Sequence, residues 1–126
     1  MGNLSLIIYA YVYKNQIDIY NVDDLKLRKR INGDNNEERI VVGDFENNIN
    51  HYVSVLAGKK YFYALYRGSK PSNENDYVME VFNYDGETIV RYSFDIVPFL
   101  FEVDEDNGFI YGYNPKYEDY LLRYKL

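Results

Sequence analysis

Residues 61–66 read YFYALY, and the triplet at their centre, Tyr63-Ala64-Leu65, sets the frame for the rest of the chain. A tyrosine, a small residue and an apolar residue occur together twice more inside runs of strand formers, as Tyr9-Ala10-Tyr11 and Tyr111-Gly112-Tyr113. Aromatic residues fit a pleated, half-buried surface, and a recurring strand element points to one structural unit used several times. Downstream of each triplet lies a segment with an aromatic at its fourth place: IDIYNV at 17–22, MEVFNY at 79–84 and LLRYKL at 121–126. The first tyrosine and the later aromatic are 11, 19 and 13 residues apart, so the connecting loop varies while the flanking strands persist.

Two further strands complete the unit. In FNYDGETIVRYSF at 82–94, Asp85-Gly86 separates two strand-like runs, as a tight hairpin requires, and IYNVDDLKLRKRI at 19–31 is its counterpart with Asp23-Asp24 in the turn. A leading strand is found in HYVSVL at 51–56 and again in FLFEVD at 99–104, each running through a short polar turn into the triplet strand. With the unit's strands lettered A to D, the chain reads B-C-D over 4–31, a polar link over 32–50, a full A-B-C-D unit over 51–94, and A-B-C over 98–126. That is about ten strands, with IVVGDF inside the link as a short extra candidate.

The stretch VDEDNGFIYGYNP at 103–115 resembles the start of a calcium loop. Val103 and Tyr111 are spaced as Val55 and Tyr63 are, so DEDNG takes the place that LAGKK takes in the sister unit. Gly108 comes one place early for the loop glycine, and Pro115 stands where a closing glutamate is needed. The stretch reads as a hairpin tip whose acids the turn itself does not require.

Period and composition both favour an all-β fold of propeller type, built from antiparallel four-stranded blades in an incomplete arc. Propeller blades are small sheets packed between neighbours, which makes their inner strands apolar on both faces, as in LIIYAYVY and YFYALY, and leaves polar outer strands such as KLRKRI. A β-sandwich of about ten strands is the alternative; it would show cleaner in-and-out alternation. The 126 residues include 16 Tyr and 7 Phe, ample material for a core in a chain of one-domain length.

Other totals exclude function classes. A net charge of −6 disfavours phosphate backbones, and the short basic run KLRKR at 26–30 reads as a solvated outer strand, so no nucleic-acid partner is expected. The absence of cysteine removes disulfides and thiolate metal sites. NLSLIIYAYVY at 3–13 lacks a basic start and the length of a spanning helix, so no membrane insertion is expected.

The pattern KKYFYALYRG at 59–68 and YVMEVFNYDGETIVRYSFD at 77–95, followed by FLFEVDEDNGFIYGYNPKYEDYLLRYKL at 99–126, resembles the C-terminal part of the TolB-like six-bladed propeller proteins. The resemblance covers essentially the whole chain and implies a bacterial cell-envelope or periplasmic setting. The chain departs from that family in having about two and a half blades and no lipoprotein signal. An open arc leaves two apolar faces uncovered, and the first unit lacks strand A where the last lacks strand D. A head-to-tail homodimer closing a ring is therefore expected.

Chemistry has few carriers. The single histidine, His51, begins an A strand, and no serine spacing argues for a triad, so it reads as a structural or rim residue. One imidazole without thiols falls short of the usual zinc ligand set, and the glycines are scattered one per turn or strand instead of forming a phosphate loop. No catalytic residue, metal or cofactor is assigned. The candidate ligand-binding residues are Tyr66, Arg67, Tyr113 and Asn114, which follow two B strands at equivalent ends; aromatic and arginine side chains on a loop rim are favoured contacts. The reading is a non-enzymatic binding or scaffolding module for a protein, peptide or glycan. The alternative is a lactonase-like propeller hydrolase holding a divalent ion with carboxylates in its channel.

Overall fold

The computed structural model describes residues 5–33, 49–69 and 77–126. The candidate strand IVVGDF lies outside them, as does most of the polar insert at 67–76.

The described residues are all-β, with ten strands in three antiparallel sheets of three, four and three. The first sheet holds β1 (Leu6–Ala10), β2 (Gln16–Asn21) and β3 (Leu27–Asn32). The second holds β4 (Asn50–Ala57), β5 (Tyr61–Ser69), β6 (Val78–Asn83) and β7 (Thr88–Ser93). The third holds β8 (Leu100–Asp104), β9 (Phe109–Tyr113) and β10 (Leu122–Lys125). Each strand lies beside its sequence neighbour, so every link within a sheet is a hairpin-type connection. Glycine supplies the turn geometry at two tips: Gly86 (φ 87°) after β6 and Gly108 (φ 77°) after β8. The β2–β3 turn has no glycine and places Leu25 at φ 57° instead.

Alternation along β5 explains the stacking. Phe62 and Ala64 point to one side, where they meet Ile17 and Ile19 of the first sheet together with Tyr52 and Phe82. Tyr63 and Leu65 point to the other side and pack with Met79 and Val81 against Phe101 and Val103 of the third sheet. The central sheet is thus covered on both faces, which is why its middle strands are apolar at successive positions. Two cores separated by a sheet are not the single interlayer core of a two-sheet sandwich.

The register corrects one expectation about the repeat. The aromatics Tyr20, Phe82 and Tyr124 pair with Ile7, Phe62 and Ile110, so these positions are equivalent in the three sheets. Ala64 and Gly112 then correspond, as do Tyr63 and Tyr111, but Tyr9 falls at the place of Ala64 and Gly112. A shift of one residue turns a side chain to the opposite face. Tyr63 is buried in the second core, whereas Tyr9 lies on the first sheet's outward face and is 53% exposed. The triplet is a true repeat in two sheets and a coincidence of letters in the first.

Candidate functional site between the first two sheets

A cleft of about 530 Å³ opens between the first and second sheets. Ile31 and Phe82 contribute apolar wall, and Asn32, Tyr52, Tyr66, Arg67, Glu80 and Arg91 supply the polar groups. Strand β6 inserts Glu80 between Met79 and Val81, so the alternation that buries those two in the second core turns the carboxylate toward the first sheet. Glu80 pairs across the ladder with Arg91 of β7, whose Nη2 lies 2.9 Å from Glu80 Oε2. The hydroxyl of Tyr52 donates to Glu80 Oε1 at 2.7 Å. Burial, and then the neighbouring carboxylate, push the Tyr52 hydroxyl's pKa well above the usual phenol value, so it remains a donor.

Side-chain exposure divides the ion pair: Glu80 is 7% exposed and Arg91 66%. The carboxylate anchors one edge of the guanidinium, and the arginine side chain stays largely exposed where it lines the cleft. Tyr66 packs edge-on against Tyr52 with ring centroids 4.9 Å apart, and its hydroxyl lies 3.0 Å from His51 Nδ1. Arg67 lies over the ring of Tyr77, 5.2 Å from its centroid. The cleft can therefore offer flat aromatic surface, guanidinium donors and a carboxylate acceptor.

The four residues singled out from sequence do not share one concavity. Tyr66 and Arg67 line the inter-sheet cleft. Tyr113 lies on the far face of the third sheet, in a depression of about 340 Å³ with Leu100, Glu102, Tyr111 and Leu121. Asn114 is buried; its Nδ2 donates to the Val97 carbonyl and its Oδ1 accepts from the Lys116 amide, capping a short 3-10 turn over Pro115–Tyr117. His51 is buried as well.

No family model, curated protein or solved structure matches the chain. Among the described residues, no group of three or more His, Cys, Asp or Glu is placed to hold a metal ion.

Sequence reading missed the Glu80–Arg91 pair, although a signal was present. Asp18 in IDIYNV and Glu80 in MEVFNY both stand two places before the aromatic, each a carboxylate inside an apolar run. Asp18 has the corresponding partner, with Arg30 Nε 2.8 Å from Oδ1 and Nη2 3.1 Å from Oδ2, and is fully buried. The hydroxyls of Tyr11 and Tyr20 also donate to it, at 2.8 and 3.2 Å. Arg30, followed by its other hydrogen bonds, holds the Asp18 carboxyl below the usual carboxylate range.

Glu105 was also missed. It sits in the β8–β9 turn and accepts from the amides of Lys59, Lys60 and Tyr61 and from the Tyr63 hydroxyl. It therefore clamps the third sheet's turn to that of the second. Burial raises its pKa, but the Tyr63 hydroxyl and the three amides outweigh that and leave it lowered.

Proposed function

We propose that this chain is a non-enzymatic binding module of propeller type that takes a protein, peptide or glycan ligand in the cleft between its first two sheets. The observation that carries this reading is the partly exposed guanidinium of Arg91, held in place by a buried Glu80 beside the Tyr52–Tyr66 ring pair. A pre-anchored fork loses little freedom when it binds a carboxylate or a pair of hydroxyls, and tyrosine rings add stacking area at low entropic cost. Three antiparallel sheets in chain order, the middle one covered on both faces, support the propeller-type reading.

The test is a calorimetric titration with panels of oligosaccharides and short peptides that carry or lack a carboxylate. Saturable binding should weaken at least about tenfold in Arg91→Lys, which keeps the charge but loses the fork, and in Arg67→Ala. It should be unchanged in Arg123→Ala on the third sheet. No binding anywhere in the panels would sink the proposal, as would divalent-ion-dependent lactone hydrolysis abolished by a carboxylate substitution.

A further inference from the structure

The two outward faces of the sheet stack correspond to the two kinds of face that meet inside it. The first sheet's outward face carries Ile7, Tyr9, Tyr11, Asp18, Tyr20 and Arg30, placed by register where the second sheet has Phe62, Ala64, Tyr66, Glu80, Phe82 and Arg91. That second set is the face that packs against the first sheet. Even its carboxylate–arginine pair is repeated, Asp18–Arg30 for Glu80–Arg91. At the other end, Tyr111 and Tyr113 of the third sheet stand where the second sheet places Tyr63 and Leu65 against its neighbour. Exposure fits uncovered contact surfaces: Ile7 is 39% and Tyr9 53% exposed on one face, Leu100 68% and Leu121 78% at the other.

Charge supplies an independent reason for these ends to meet. Residues 5–33, which contain the first sheet, hold five basic and three acidic side chains, whereas residues 99–126, which contain the third, hold three basic and six acidic. Unlike ends attract, and like ends repel.

We infer that the protein forms a closed head-to-tail pair in which the outward face of each first sheet receives the outward face of the third sheet of a second copy, repeating the internal stacking. These outward faces lie apart from the cleft between the first two sheets.

Sedimentation equilibrium of the full chain at micromolar concentration tests it. The expected mass is twice the chain's 15.0 kDa, falling toward one copy as salt is raised. Tyr9→Lys on the first sheet and Leu100→Lys on the third should each give a one-copy species that keeps the wild-type circular-dichroism spectrum. Mixing the two variants should restore a two-copy species, because one wild-type face remains on each and the pair can form one of its two contacts. A wild-type mass of one copy, an open series of growing mass, a dimer indifferent to both substitutions, or a mixture that stays at one copy would each overturn the inference.

Discussion

Two positions show how one side chain governs a local fit. Leu25 is held at φ 57° in the β2–β3 turn, a region where a side chain on Cβ crowds the backbone, and its own side chain is 68% exposed. Little packing would be lost on removing it. Leu25→Gly should raise stability by about 0.5–1 kcal/mol in urea unfolding, the relief of left-handed strain outweighing the added freedom of the unfolded chain. Gly112 shows the reverse constraint: a Cβ built there would lie 2.2 Å from Pro98 Cβ. Gly112→Ala should cost about 1–3 kcal/mol, measured the same way, because the proline must be displaced. Only the backbone path beside Pro98 reveals why the small residue of the third triplet is glycine.

At the scale of elements, the β8–β9 hairpin is fastened to the central sheet by Glu105. Its carboxylate receives three consecutive amides from the β4–β5 turn, and a Cβ on Gly58 would lie 2.8 Å from its Cδ. Glu105→Ala should lower stability by about 1–3 kcal/mol. The same substitution should speed hydrogen exchange at the Lys60 and Tyr61 amides while leaving the first sheet's amides protected. Unchanged exchange at those two positions would show that the turns are held by packing alone. The sequence placed a hairpin at residues 103–115, and a hairpin forms there; that one of its acids joins two sheets depended on which turn lies opposite.

Across the whole molecule, the titrating groups set both ends of the pH range. Asp18, Asp95, Asp104 and Glu105 all have lowered pKa values, so the unfolded chain binds protons that the folded one resists. The stability they contribute is fully present above their ordinary values, 3.8 for Asp and 4.5 for Glu, and is lost as pH falls through the lowered ones. The urea midpoint should therefore fall from about pH 5 downward, with a shallower fall in Asp18→Asn. Tyrosines act at the other end. Hydrogen bonding to Asp18, then burial, push Tyr11 up to about 12, and burial foremost raises Tyr52, Tyr63, Tyr84 and Tyr124. Raised values keep the proton in the folded state, so stability is lost as pH climbs above the ordinary value of 10.0. Part of the phenolate absorbance should rise only together with loss of the circular-dichroism signal; complete ionisation with the fold intact would contradict these hydrogen bonds.

The order of strands and the hairpins between them were legible in the residues, because apolar runs, turn chemistry and recurrent spacing are properties of short stretches of chain. Strand pairing then followed sequence neighbours, as short links favour. The face that each strand presents was less legible, since a one-residue change of register exchanges inside for outside without altering a letter, and Tyr9 was misaligned for that reason. The Glu80–Arg91 cleft, the buried Asp18 and the Glu105 clamp were decided only when sheets met. Each depends on groups brought together by ladder pairing or stacking, and a carboxylate is buried only where that meeting supplies its hydrogen-bond partners.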